Sequence, residues 1–290
     1  MNKYKNIQNS QNFIKRNIIK NLLQLENINI NKNDIVIEIG GGKGSITSEL
    51  LPLVKNLIVI EDDQSLAKKL KDDFKNINNI NIYNMDIFKY PLPKYKYKVI
   101  SNIPFNITSD IINYLTNTNN KADEIYLIMQ YEAAQRFMGK PLNHDSQISI
   151  LLKVNFEITY LTKISRHSFF PEPRVDTAFI KFKLLKNPLI NSDGYQVFRD
   201  FVIYGYNQYG KSVLDSFKKI FTNSQKQKIE QELKIKKLKP TELNIEKWIS
   251  LFNLFKTIVS PNKQKIILGE EKRDKERHKR IVKIYRTRIS

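Results

Sequence analysis

The chain contains no cysteine, which excludes disulfides, thiolate nucleophiles and cysteine metal sites. Its three histidines, His144, His167 and His278, are scattered without ligand spacing, so no metal is expected. No apolar run is long enough to span a bilayer. The first residues, MNKYKNIQNSQNF, lack the apolar stretch and small-residue cleavage site of a secretory signal. These absences point to a cytoplasmic enzyme or binding protein with no membrane partner. Acids are also scarce: 29 Asp+Glu stand against 49 Lys+Arg, a net charge of +20. That surplus attracts polyanions and favours a phosphate backbone as partner. Codon bias towards Lys, Asn, Ile and Tyr explains some of the lysine but not an excess of this size.

The 290 residues, 41% of them hydrophobic, suffice for one large or two modest domains with a real core. Through the first two-thirds, strand-like runs alternate with helix-like segments. The runs are Asp34–Ile39, Leu57–Ile60, Ile80–Ile82, Tyr97–Ile100 and Glu124–Met129. Between them, Ser65–Lys75 places Leu66, Ala67, Leu70 and Phe74 on one helical face. Such alternation predicts an α/β fold, a parallel sheet covered on both faces. Two further strands, Phe156–Lys163 and Val175–Leu184, have no convincing helix between them and are expected to close the sheet as an antiparallel pair. After Asn187-Pro188 the pattern turns helical, over Gln196–Tyr209, Ser212–Phe221, Ser224–Lys236 and Ile245–Phe255. The expected division is residues 1–186, 187–260 and a basic tail, 261–290, flexible when unbound, in which the acids Glu270, Glu271, Asp274 and Glu276 also permit a charged helix.

Four strand ends carry the chemistry. After the first comes Glu38-Ile-Gly-Gly-Gly-Lys-Gly44, where Gly40, Gly42 and Gly44 permit a tight turn against a ligand. A dinucleotide fingerprint is excluded by Ser45, and a P-loop by Gly44 after Lys43, so that spacing assigns Lys43 to no phosphate. After the second strand comes Glu61, suited to the paired hydroxyls of a ribose. After the third come Asp86, able to accept from an adenine amino group, and Ile87, able to lie against the ring. After the fourth comes Ser101-Asn-Ile-Pro-Phe-Asn-Ile-Thr108, in which Pro104 rigidifies a turn presenting an amide and a flat ring. Each acid alone could be a helix cap or a solvated loop residue. Together they form a row along the carboxyl edge, where open α/β sheets bind ligands.

These motifs, with Ser10-Gln-Asn-Phe13 before them and Phe169-Phe-Pro-Glu-Pro-Arg-Val175 after them, resemble the S-adenosylmethionine-dependent rRNA adenine dimethyltransferases. EIGGGKGSIT and SQNF are more similar to the Erm branch, which modifies large-subunit rRNA, than to the small-subunit KsgA branch. The resemblance implies a Rossmann-like class I methyltransferase sheet of seven strands, mostly parallel with the last pair antiparallel, and a small C-terminal all-helical domain. It implies a monomer that takes S-adenosyl-L-methionine and ribosomal RNA and methylates an adenine N6 in the macrolide-binding region, giving macrolide, lincosamide and streptogramin B resistance. Gln11 and Asn12 would lie by the methionine moiety, and Gly40 and Gly42 under the cofactor. Glu61 would hold its ribose, and Asp86 with Ile87 its adenine. Asn102 and Phe105 would face the target base, with Phe169 as a second aromatic wall. Arg166, Arg174, Lys218 and Lys219 are candidate phosphate contacts. A housekeeping small-subunit enzyme and a non-catalytic RNA- or DNA-binding relative are the alternatives.

Overall fold

The computed structural model describes residues 12–287, with side chains as far as Lys279. Ser10 and Gln11 lie outside the described residues. The chain forms two compact units. One runs to Gln135 and resumes over Phe156–Leu185; the other takes Arg136–Asn155 and continues from Lys186.

In chain order the strands of the first unit are β1 (Phe13–Ile14), β2 (Ile35–Ile39), β3 (Asn56–Glu61), β4 (Ile80–Asn84) and β5 (Lys98–Asn102). They are followed by β6 (Glu124–Gln130), β7 (Phe156–Ile164), β8 (Phe169–Phe170) and β9 (Thr177–Leu184). Seven of them form one sheet in the order β4-β3-β2-β5-β6-β9-β7. Strands β2 to β6 are parallel to one another, and β9 runs antiparallel to both β6 and β7. The expected seven-stranded sheet with an antiparallel closing pair is therefore present. Its central strands, IVIEI and NLIVIE, are β-branched runs buried along nearly their whole length, as strands covered on both faces require. Strand order reverses between β2 and β5, which opens a crevice at their carboxyl ends.

Helices α1 (Arg16–Leu23), α2 (Ser45–Leu50), α3 (Gln64–Asp73), α4 (Thr108–Thr116) and α5 (Tyr131–Met138) accompany the sheet, with α5 crossing the sequence boundary between the units. Asp63 starts α3 by accepting the backbone N–H groups of Ser65 and Leu66, an N-cap in the strict sense. The remaining two strands, β1 and β8, pair separately, Phe13 opposite Phe170 and Ile14 opposite Phe169. At the amino ends of β5 and β6, buried Lys98 reaches Asp34 at 2.8 Å, and Lys181 reaches Glu124 at 2.7 Å. Tyr126 also donates to Glu124 at 2.8 Å. Each buried charge there has an opposite partner, the condition under which burial is tolerated.

The second unit contains α6 (Gln147–Lys153), α7 (Ser192–Asn207), α8 (Val213–Ser216), α9 (Asn223–Leu233), α10 (Ile245–Ile258), α11 (Pro261–Gln264) and α12 (Glu270–Thr287). Phe198, Phe201, Phe217, Trp248, Phe252 and Phe255 fill its core, with the Phe201 and Phe217 rings stacked at 4.5 Å. The predicted helix over Ser212–Phe221 shortens to α8 and turns.

The compact units differ from the expected division at two places. Residues 136–155 join the helical unit, because Ile150, Leu151 and Val154 pack into its core. Residues 270–287, expected as part of a flexible tail, form α12 against α7. The acids near its start explain the difference. Arg199 makes two bonds of 2.8 Å to Glu271, and Asp200 accepts the backbone N–H groups of Gly269 and Glu271. Asn207 donates to Asp274 at 2.7 Å. A segment that is basic on average is thus held by its minority of acids.

Candidate active site

The glycine turn after β2, the ends of β3 and β4, and the Asn102 turn after β5 border one pocket, whose empty space including its mouth is about 870 Å³. Gly40, Gly42, Glu61, Asp86, Asn102 and Phe105 all line it. Backbone requirements explain the glycines. Gly40 has φ +74° and an added Cβ would meet nothing within 4 Å, so the turn leaves open space beside bare backbone. Gly42, at φ +54°, donates its N–H to Glu61 Oε2 at 2.8 Å. Positive φ strains any residue with a Cβ.

Glu61 ends β3, buried, and its other carboxylate oxygen accepts the Asp63 N–H at 2.9 Å. Burial raises its pKa, against the lowering effect of these two N–H groups. Each oxygen retains a second lone pair for a hydroxyl donor. Asp86 accepts the Phe88 N–H at 3.0 Å and so caps the short turn over Ile87–Lys89, with Ile87 buried in the pocket wall.

Asn102 closes β5. Its Nδ2 donates to the Asn12 carbonyl at 2.8 Å, which orients the amide and leaves Oδ1 as its acceptor end. The Ile103 N–H is committed to the Ile128 carbonyl at 3.0 Å, pinning the motif to β6. Pro104, at φ −57° and ψ 126°, then turns the chain into the short helix over Phe105–Ile107. The half-buried Phe105 reaches the same pocket as Gly40 and Glu61.

Phe169 is placed differently from the expectation. It is 3% exposed and packs in the core with Ile14, Ile164 and Phe179, and it does not line the pocket. Register is the reason: Phe169 shares the inner face of the β1–β8 pair with Ile14, and the outer face carries Phe13 and Phe170. Phe13 lines the pocket in its stead. The candidate phosphate contacts fall in both units. Arg166 pairs with Glu172 at 3.0 Å, and His167 bonds the same carboxylate at 2.9 Å. Arg174 is exposed nearby in sequence, and Lys218 and Lys219 are exposed after α8 in the other unit. Among the described residues, no group of three or more His, Asp or Glu could hold a metal ion, and no helix is long and apolar enough to cross a membrane.

Three residues that support the site were given no role from sequence, although Glu38 and Ser101 begin motifs quoted there. Ser101 donates to the Ile39 carbonyl at 2.6 Å, tying β5 to the start of the glycine turn. Thr47 donates to Glu38 at 2.6 Å beneath that turn. Glu38 itself is fully buried, its second oxygen has no partner among the described residues, and burial pushes its pKa up to about 8. A lone acid inside an apolar strand was the available signal.

The sign of the resulting pH dependence is fixed. Between the ordinary value of 4.5 and about 8, the folded chain keeps a proton that the unfolded chain releases. Stability therefore falls as pH rises through that window, by up to about 1.4 kcal/mol per unit for one proton. Glu61 contributes with the same sign, so the comparison between variants isolates Glu38. Glu38→Gln is expected to flatten the decline in denaturant unfolding measured from pH 5 to 8. An unchanged slope would remove Glu38 as its source.

The lining suits a nucleoside: carboxylates to accept from hydroxyl and amino groups, apolar walls for a flat ring, and an open cradle at Gly40. Comparisons with known proteins agree with this chemistry. The family described as ribosomal RNA adenine dimethylase matches residues 2–257. An rRNA adenine N-6-methyltransferase of Limosilactobacillus reuteri is 34% identical over 259 residues, 88% of this chain and 98% of the relative. A ribosomal RNA small subunit methyltransferase A of Francisella tularensis is 30% identical over 258 residues, 84% of this chain and 90% of the relative. Among solved structures, the 23S rRNA methyltransferase ErmE superimposes with a TM-score of 0.77 at 22% identity, covering 85% of this chain and all of that one. A dimethyladenosine transferase from Plasmodium falciparum gives 0.70, also at 22%, over 85% of this chain and 98% of the other. The fold is thus shared with both. The chain belongs to the ribosomal RNA adenine dimethylase family.

Proposed function

We propose that the protein uses S-adenosyl-L-methionine to methylate, once or twice, the N6 amino group of an adenine in the macrolide-binding region of 23S rRNA, giving macrolide, lincosamide and streptogramin B resistance. The observation that carries this reading is the convergence of Gly40, Gly42, Glu61, Asp86, Asn102 and Phe105 on one pocket at the carboxyl edge of adjacent strands. The 34% identity to an rRNA adenine N-6-methyltransferase supports it. So does the basic surplus, which suits RNA. On this reading the sheet unit binds cofactor and base, and the helical unit contributes RNA contacts.

S-adenosylmethionine supplies a methyl group that its sulfonium makes electrophilic. Glu61 accepts from the ribose hydroxyls, Asp86 accepts from the cofactor's adenine amino group, and Ile87 packs on that ring. Gly40 and Gly42 let the backbone approach closely, and Asn12 lies at the methionine end. The harder problem is the target base, whose amino lone pair is delocalised into the ring. Asn102 Oδ1 and the Ile103 carbonyl accept the amino hydrogens and favour a pyramidal nitrogen. Phe105 stacks on the base and fixes its direction. Alignment and preorganised acceptors supply most of the acceleration. No strong base is required, because the N6 proton becomes acidic on alkylation and leaves to water. The adenine must first be unstacked from its RNA, a cost of a few kcal/mol that base–aromatic stacking of about 1–3 kcal/mol offsets.

A small-subunit rRNA enzyme is the second reading, favoured by the Francisella relative. Labelled S-adenosylmethionine, each ribosomal RNA separately and primer extension distinguish the two. Label at an adenine of the large-subunit RNA is expected. Label confined to small-subunit RNA would replace the 23S assignment, and label in neither would favour a non-catalytic binder. In a susceptible host, expression is expected to raise resistance to all three drug classes together.

A further inference from the structure

Phe170 is 70% exposed, beside a pocket whose other aromatic residues are largely covered. A single exposed apolar side chain needs no explanation; its surroundings do. It stands opposite Phe13 in the β1–β8 pair, and Phe13 lines the pocket. The Phe13 ring also packs on the glycine turn, 3.1 Å from the position of an added Cβ on Gly42. Lys43 lies at the same place, its Nζ 4.6 Å from the Phe13 ring centre and 5.9 Å from that of Phe170. Lys43 is exposed. Thus an exposed ring continues outward from the pocket rim, with an ammonium group over one side of it. A flat hydrophobic face and a point cation, a few ångströms apart, match the base and phosphate of one nucleotide. The spacing of the glycine turn gave Lys43 no phosphate role; its tertiary neighbours are the two aromatic rings of the β1–β8 pair.

We propose that Phe170 and Lys43 form a second nucleotide subsite, in which an unpaired base flanking the target adenine stacks on Phe170 while Lys43 holds the adjoining phosphate. This rests on the proposed RNA substrate and assigns the substrate a local form, an extended single strand of at least two nucleotides. The subsite also gives Phe170 work distinct from that of Phe105. Phe105 grips the base that reacts, and Phe170 selects and orients the strand carrying it. Phe170 is a positioning residue, so its contribution falls on RNA affinity. One lost base–aromatic stack corresponds to roughly tenfold or more in affinity. One lost phosphate contact on a single strand lowers the salt slope of binding by about 0.7.

The test uses the full chain and a short RNA stem-loop with an unpaired adenine, flanked by 2-aminopurine as a fluorescent base. Phe170→Ala is expected to weaken binding roughly tenfold and abolish quenching of the 2-aminopurine, and Phe170→Trp to restore both. Lys43→Gln is expected to reduce the salt slope without changing the quenching. S-adenosylmethionine binding to each variant, followed calorimetrically, separates a subsite effect from damage to the fold. Equal affinity and quenching in wild type and Phe170→Ala would overturn the subsite. Methyl transfer to ribosomal RNA, measured in parallel, bears on the other reading. If wild type transfers no methyl group while Phe170→Ala still loses RNA affinity, the proposed activity fails and the subsite stands.

Discussion

Asn102→Ala is expected to lower kcat for methyl transfer by about 10²–10³, the cost of deleting one preorganised group at the site of developing charge. RNA affinity should change far less, because phosphate contacts dominate it. The size of the effect follows from how the amide is held. Its Nδ2 is committed to the Asn12 carbonyl, which fixes one rotamer, and in the proposed mechanism Oδ1 is the group that would accept from the target amine. The Ile103 N–H, bound to β6, holds the adjacent peptide in place as well. Asn102→Asp keeps the shape but loses the N–H that binds Asn12, and it sets a carboxylate against that carbonyl. It is expected to be nearly as inactive as the alanine variant. Single-turnover methylation of rRNA separates chemistry from binding. An Asn102→Ala enzyme within tenfold of the wild-type rate would remove the amide from the mechanism.

The second large effect lies in the helical unit. Arg199→Ala is expected to destabilise it by about 1.5–3 kcal/mol, the cost of removing charge-assisted hydrogen bonds from Glu271, which keeps Lys275 at 2.7 Å and Gln196 at 3.0 Å as partners. Arg199 and Glu271 are about nine-tenths buried and joined by two bonds of 2.8 Å. The Arg199 guanidinium holds the Glu271 carboxyl well below the usual carboxylate range, against the effect of burial. The depressed pKa sets the sign: the pair contributes fully above the ordinary value of 4.5 and less as pH falls below it. Thermal unfolding at pH 7 measures the loss, and the gap between wild type and Arg199→Ala should narrow in acid. Replacing both residues with methionine is expected to recover much of the stability, because no charge is then left unpaired. A change below about 1 kcal/mol in Arg199→Ala would mean that α12 is held by other contacts.

Both predictions touch features of unequal visibility in the sequence. The strand runs were legible because β-branched residues crowd into short buried segments, and Leu57–Ile60 and Glu124–Met129 fall inside β3 and β6. The row of motifs was legible too, since each lies within a few residues of a strand end. Helix α12 was not. Its composition is that of a solvated chain, and the residue that anchors it, Arg199, lies 72 positions away. Helix α6 was missed because seven residues give little periodicity, and its allegiance to the second unit depends on which core Ile150 and Leu151 enter.

By itself the sequence determined the sheet's strands, the four strand-end motifs and the preference for a polyanionic partner. These depend on residue type at short range: period, turn chemistry and net charge. Only the tertiary structure decided that Phe169 faces the core while Phe13 and Phe170 face outward. Only it decided that Glu38 is a buried acid, and that two of the tail's few acids, Glu271 and Asp274, bond to α7. Side-chain direction in a two-residue strand, dielectric surroundings and long-range charge pairing come from neighbours distant in the chain. No local window of sequence contains them.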